Sequence, residues 1–167
     1  MEVPVGGRTR WAIFDAASDR FYVNVADPPQ IAVIDGKDPA RVAHTFPVPA
    51  AGPHGLDLDP MTGRLFCACD AGVLVAVEAR SGDIVGRSEI GGVPDVVFVN
   101  ATLRRLYIAI GDPGLIEVFD LETGRQLETV PTERGAHTIA FDPAQNLIYA
   151  FLPESHRASV YTDRDIE

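Results

Sequence analysis

Short apolar stretches alternate with turn-forming residues along the whole chain. Some stretches are continuously apolar, such as VVFV at 96–99, and others alternate with polar residues, such as DIVGRSEI at 83–90. A continuous apolar run is typical of a strand buried on both faces, and an alternating run is typical of a half-exposed strand. The 15 Gly and 13 Pro residues interrupt the chain too often for long helices. The pattern therefore predicts an all-β fold of many short strands.

Three sets of residues recur along the chain with a shared period. The first set is acidic or amide, the second is aromatic, and both recur at separations of 44, 41 and 42 residues. The third set recurs at 43, 42 and 42. The sets are Asp15, Asp59, Asn100 and Asp142; Tyr22, Phe66, Tyr107 and Tyr149; and Asp35, Glu78, Asp120 and Thr162. Because independent positions keep one period, we predict four copies of one structural unit, with the first set forming turns.

Each copy contains four predicted strands. In the third copy these are DVVFV, RLYIAI, LIEVFD and QLETV, separated by turn residues. One antiparallel four-stranded unit for every 40–45 residues or so is typical of a β-propeller blade. We therefore predict a single β-propeller domain over residues 1–167, with four-stranded antiparallel blades at approximately 9–48, 53–90, 94–130 and 136–162.

The fourth copy ends after its third strand, and the N-terminus offers a substitute for the missing one. VPVGGRTRWAIFD from Val3 aligns with VPTERGAHTIAFD from Val130, so residues 2–5 resemble an outer strand. We predict that they complete the last blade, because propellers protect the edges of their terminal blades. Three arrangements satisfy this pairing: a closed four-bladed monomer, a homodimer of two chains forming an eight-bladed ring, or a piece of a longer propeller.

The stretch RLYIAIGDPGLIEVFDLETG resembles the YVTN-type β-propeller repeat, and the resemblance extends over nearly the whole chain. It implies the propeller fold, and the length of related proteins implies that this chain corresponds to about half of one. It says less about activity, because the superfamily includes binding proteins, lactonases and cofactor-dependent dehydrogenases.

Charge and composition narrow the range of partners. The net charge of −10 disfavours binding to nucleic acid and to anionic membranes, since both carry negative charge. The first residues contain no apolar stretch of signal-peptide length. Cys67 and Cys69 lie two apart on one predicted strand, which is poor geometry for a disulfide. We expect reduced thiols packed in the core and a cytoplasmic protein. Further aromatic residues at strand positions are also expected in the core: Trp11, Phe14, Phe98 and Phe141.

Four polar residues precede the innermost strands at equivalent positions. They are separated by 44, 41 and 42 residues, and they are Arg10, His54, Asp95 and His137. Equivalent positions of successive blades converge at the central axis, so we predict that these side chains lie together at one mouth of the propeller. They could pack the loops, contact an anionic or other small ligand, or bind a divalent metal. No other cofactor is expected.

The sequence favours a non-catalytic binding or interaction scaffold over an enzyme. It contains no GxSxG, HExxH, Walker or GxGxxG motif in a suitable context. The alternative is a metal-assisted hydrolase of the lactonase type, for which Asn24, Asp57 and Asp95 are incomplete candidates for a ligand set. His156 and Arg157, in a polar interruption of the last repeat, are interpreted as an exposed loop.

Overall fold

A computed structural model describes residues 1–164, which form fifteen strands and no helix. The strands of blades 1 and 2 are β1 (Thr9–Asp15), β2 (Arg20–Val25), β3 (Gln30–Asp35), β4 (His44–Pro47), β5 (Pro53–Asp59), β6 (Arg64–Cys69), β7 (Val73–Glu78) and β8 (Ile84–Glu89). The strands of blades 3 and 4 are β9 (Pro94–Asn100), β10 (Arg105–Ile110), β11 (Leu115–Asp120), β12 (Gln126–Pro131), β13 (Ile139–Asp142), β14 (Leu147–Leu152) and β15 (Arg157–Thr162). None of the described residues forms a helix of the length and apolarity that a membrane crossing requires.

The strands form four separate antiparallel sheets in which each strand pairs with its neighbour in sequence. The orders are β1-β2-β3-β4, β5-β6-β7-β8, β9-β10-β11-β12 and β13-β14-β15. The innermost strands of successive blades contact each other: β1 with β5, β5 with β9, and β9 with β13. This arrangement confirms the predicted all-β propeller fold with antiparallel blades.

Apolar clusters join each blade to the next. The recurring aromatic residues lie at these junctions, and Tyr22, Phe66 and Tyr107 are at most 3% exposed. Tyr22 packs with residues of blade 2, Phe66 with blade 3 and Tyr107 with blade 4. Burial of one large apolar side chain is worth about 1.5–3 kcal/mol. Strands such as β6 and β10 are buried along nearly their whole length, because their blades are covered by a neighbour on each side.

The recurring Asp and Asn residues form the turns that the sequence predicts. Asp59 accepts hydrogen bonds from the backbone N–H of Met61 and the hydroxyl of Thr62. Asn100, Asp15 and Asp142 accept equivalent bonds from the residues that follow them. The interpretation of this set as turn formers is confirmed.

The predicted completion of the last blade by residues 2–5 is wrong within one chain. The fourth sheet has three strands, and the first strand begins at Thr9. The segment before β1 instead lies beside its own blade, where the N–H of Ala26 donates to the carbonyl of Arg8 over 2.8 Å. Within the single chain, β1 packs on β5 of blade 2 and the fourth sheet is left with three strands.

Two aromatic residues expected in the core are on the surface. Trp11 is 36% exposed and Phe14 is 50% exposed, whereas Phe98 and Phe141 are half-buried against the cluster between blades 3 and 4. Phe14 lies on the face of blade 1 that no preceding blade covers, whereas its equivalents Leu58, Val99 and Phe141 pack against the preceding blade. Position in a repeat therefore predicts burial only where a neighbouring blade is present.

The two cysteines are core residues with free thiols, as expected. Cys67 and Cys69 are fully buried, and their sulfur atoms lie 3.8 Å apart. The neighbouring Cys69 thiol and burial both raise the pKa of Cys67. A raised pKa keeps the thiol protonated, so Cys67 behaves as a small apolar residue.

Candidate functional site

The four polar residues that recur before the innermost strands lie together in the structure. Arg10, His54, Asp95 and His137 border one open depression of about 490 Å³. Val93, Pro94, Gly111 and Asp112 complete its wall. Because the innermost strands lie side by side at this point, we call the depression the axial mouth.

Local irregularities in the strands place three of these side chains. The pairing register shifts between Thr9 and Ala12 in β1 and between Pro53 and Gly55 in β5. In β9 it shifts between Pro94 and Val97. Arg10, His54 and Asp95 lie within these three segments. A β-bulge turns a side chain out of the regular pleat. The irregularity in each of blades 1, 2 and 3 therefore directs one polar side chain into the mouth, whereas His137 lies in the segment before β13.

Close approach of the backbones also contributes to the arrangement. A Cβ atom added to Gly55 would lie 2.3 Å from the carbonyl oxygen of Asp95. Only glycine permits β5 to approach β9 this closely. This contact brings His54 and Asp95, which lie on different blades, within bonding distance.

His54 occupies the centre of a hydrogen-bonded group. Its Nδ1 lies 2.7 Å from Oδ1 of Asp70, and its Nε2 lies 3.3 Å from Nη1 of Arg10. Arg10 also pairs with Asp70, with Nη2 and Oδ2 at 3.5 Å. The position of Asp70 after β6 places it at the same end of the sheet, which is the signal that sequence analysis could have used to include it.

Asp95 connects both histidines of the mouth. Its Oδ1 lies 3.2 Å from Nε2 of His54, and its Oδ2 lies 2.5 Å from Nδ1 of His137. His54 is largely buried, whereas 55% of the His137 side chain is exposed. The accessible imidazole of this pair is therefore that of His137.

The carboxylate oxygens of Asp70 and Asp95 all have partners in the mouth, whereas Arg10 has N–H groups beyond those in contact. All four oxygens of Asp70 and Asp95 face Arg10 or a histidine within 3.5 Å. Arginine has five N–H groups, and these contacts involve only two of the Arg10 nitrogens. Its third nitrogen, Nε, is buried and has no hydrogen-bond partner among the described residues. The mouth thus holds spare N–H donors on Arg10, together with the exposed carboxylate of Asp112, which pairs through Oδ1 with Arg134.

The structure does not assemble the candidate lactonase ligands. Asn24 is fully buried and donates to the carbonyls of His54 and Gly55. Asp57 accepts from the backbone N–H groups of Val99 and Leu58, and burial raises its pKa although both bonds lower it. Within residues 1–164, no three His, Cys, Asp or Glu side chains are arranged to hold a metal ion.

His156 and Arg157 lie apart from this group, as the sequence suggested. Both are exposed and border a separate depression on blade 4, at the turn between β14 and β15. His137 also borders that depression. The exposed loop therefore lies next to the open side of the axial mouth.

Comparisons with known proteins establish the fold alone. No protein-family model matches the chain, and no curated protein matches it. Among solved structures, the chain is similar to a chain of the Kuenenia stuttgartiensis hydrazine synthase, with a TM-score of 0.77 and 13% identity over 91% of this chain and 43% of that chain. It is also similar to a chain of a mitotic checkpoint complex, with a TM-score of 0.80 and 10% identity over 94% of this chain and 49% of that chain.

Both similar structures are propeller-like, and this chain spans less than half the length of each. At these identities the similarity concerns the path of the backbone and no particular activity. The chain has a β-propeller fold with a polar axial mouth.

Proposed function

We propose that this protein is a non-catalytic binding module whose axial mouth holds a small organic anion. The observation that carries the proposal is the balance of hydrogen-bonding groups. The carboxylates of Asp70 and Asp95 are engaged by neighbouring side chains, while Arg10 retains N–H donors that these contacts do not use. A carboxylate ligand matches such donors, because charge-assisted bonds to a guanidinium are stronger than bonds between neutral groups.

The arrangement around His137 supports binding over nucleophilic catalysis. A hydroxyl nucleophile needs a histidine that contacts it through one ring nitrogen and an orienting carboxylate through the other. The hydroxyl of Thr138 lies 3.4 Å from Nδ1 of His137, the same nitrogen that Asp95 contacts. The nitrogen that faces Thr138 is therefore already bonded to Asp95 and is not free to accept the hydroxyl proton.

Titration with succinate by isothermal calorimetry tests the proposal. We expect wild type to bind succinate, and Arg10→Gln to weaken this binding at least tenfold, since a hydrogen bond to a charged group is worth about 1.5–3 kcal/mol. Arg41→Gln is the matched control, because Arg41 is exposed and pairs with Asp38 in its own turn, away from the mouth. Equal affinity in Arg10→Gln and wild type, or no binding at millimolar succinate, would contradict the proposal.

The competing hydrolase hypothesis has its own readout. A metal-assisted lactonase should contain stoichiometric metal after purification and should hydrolyse a simple lactone. Asp95→Ala should then abolish turnover. Metal-free, inactive protein that binds succinate would favour the binding module.

A further inference from the structure

We define the rear face of blade 1 by Phe14 and Phe21. The equivalent faces of blades 2, 3 and 4 each pack against the preceding blade, whereas this face is exposed. The two rings lie on paired strand positions with centroids 4.6 Å apart, and they are 50% and 41% exposed. Their equivalents in the other blades all pack against the preceding blade: Leu58 and Leu65, Val99 and Leu106, and Phe141 and Ile148. This face therefore has the character of a blade junction that lacks its preceding blade.

The front face of blade 4, which we define by Phe151 and Val160, shows the opposite half of the same interface. Phe151 is 47% exposed and Val160 is 54% exposed. Their equivalents in blade 3 are Ala109 and Val118, which are buried against blade 4. The two ends of the chain thus carry complementary halves of a junction that is formed three times inside it.

The backbone at the two ends of the chain is also complementary: blade 4 has an open strand edge, and the N-terminus has an extra strand-like segment. β15 pairs with β14 on one side and has no strand on its other side among residues 1–164. The chain enters blade 1 along the path by which it enters blade 2: Ala26 N–H donates to the Arg8 carbonyl, and Asp70 N–H donates to the Gly52 carbonyl, each over 2.8 Å. In blade 2 this path begins at the outer strand of the preceding blade. Residues 2–5 therefore occupy the sequence position of an outer strand whose blade is missing.

We propose that the preceding blade is blade 4 of a second copy of this chain, so that two copies form an eight-bladed ring. The rear face of blade 1 in each copy packs on the front face of blade 4 in the other, which gives two identical junctions related by a twofold axis. Residues 2–5 of each copy pair with β15 of the other. A second copy is favoured as the occupant because this one chain supplies both halves of the junction and the strand that crosses it.

The ring would complete the axial mouth, and this part of the inference rests on the proposed function. Within the chain, the mouth residues of neighbouring blades contact each other in order, from Arg10 to His54, to Asp95 and to His137. The next position after His137 is Arg10 of the second copy. The open side of His137 would then face a guanidinium, as Nε2 of His54 already does.

Light scattering coupled to size-exclusion chromatography tests the assembly without any ligand. We expect a mass twice the 18.0 kDa of one chain. Phe21→Asp and Val160→Asp should each weaken dimerisation at least 100-fold, and deletion of residues 2–5 should weaken it as well. These side chains are exposed in the single chain, so the variants should remain folded. Met61→Asp is the matched control, because Met61 is 71% exposed at a turn away from both faces.

A wild-type chain that stays monomeric at 100 µM would overturn the proposal, and so would an open ladder of higher masses. Cross-linking gives an independent check of the junction. The double variant Phe21→Cys with Val160→Cys should form a covalent dimer with a short bis-maleimide, whereas Met61→Cys with Val160→Cys should not. A monomer that binds succinate would refute only the ring, and a dimer that does not bind it would refute only the proposed ligand.

Discussion

Oδ2 of Asp95 and Nδ1 of His137 lie 2.5 Å apart and join blade 3 to blade 4 at the axial mouth. Asp95 belongs to β9, and His137 precedes β13 by two residues. The two residues are 42 positions apart, one repeat of the chain. The polar group of the mouth therefore crosses the blade junctions, and changes in how blades pack should affect the site.

Gly55→Ala should disturb both stability and the mouth. A Cβ at this position would meet the backbone of Asp95 at 2.3 Å and a methyl group of Val97 at 2.6 Å. Overpacking of this kind costs about 1–3 kcal/mol. We expect that loss in urea unfolding, together with weaker succinate binding. The control is Gly86→Ala on outer strand β8, where the nearest atom is a side-chain carbon at 3.3 Å. Equal effects of the two variants would contradict this account of Gly55.

Tyr107→Phe should be more destabilising than Tyr22→Phe. The Tyr107 hydroxyl donates to Asp163 over 2.6 Å and accepts from Asn100 over 2.9 Å. Its removal takes one hydrogen bond from Oδ2 of Asp163 and one from Nδ2 of Asn100, at a cost of about 1–3 kcal/mol, although Asp163 keeps Arg105 and Asn100 keeps Asn146 as partners. The Tyr22 hydroxyl makes one longer bond, to the carbonyl of Ala79 at 3.3 Å. Urea unfolding of both variants checks the order, and a larger loss in Tyr22→Phe would show that the reasoning is wrong.

Asp59 should make stability decrease in acid. Burial tends to raise its pKa, but hydrogen bonds from Thr62, Arg104 and the N–H of Met61 outweigh burial and lower it. A carboxyl whose pKa is lower when folded contributes stability above its unfolded pKa, about 3.9, and loses that contribution as pH falls through the folded pKa. The unfolding free energy should therefore fall below about pH 4.

Asp59→Asn should remove this part of the acid dependence. The variant should be less stable than wild type at pH 7, because the ion pair with Arg104 at 2.8 Å is lost. The difference should shrink towards pH 2. Chemical unfolding at a series of pH values measures it, and a constant difference across that range would contradict the role given to Asp59.

The buried thiols should be unreactive in the folded protein. Cys67 and Cys69 are fully buried, and the pKa of Cys67 is raised by its Cys69 neighbour and by burial. A thiol-specific reagent should therefore label neither cysteine in native buffer and both in urea. Rapid labelling without denaturant would show that the junction between blades 1 and 2 opens readily.

Periodicity alone was sufficient to predict much of the fold and to select the mouth residues. Equivalent positions in repeated blades occupy equivalent places around the axis, so the spacing of Arg10, His54, Asp95 and His137 was enough to predict that they meet. The turn role of Asp59 follows for the same reason, because a turn is a local property that each repeat reproduces.

The tertiary structure decided which of these positions are covered and which polar groups are engaged. Phe14 and Phe21 resemble their buried equivalents in sequence, yet they are exposed because burial depends on a neighbouring blade. Asp70 joined the mouth, and Asn24 was excluded from it, through contacts between different blades. Residues 2–5 have the sequence of an outer strand, but a strand forms only where a partner edge lies within reach.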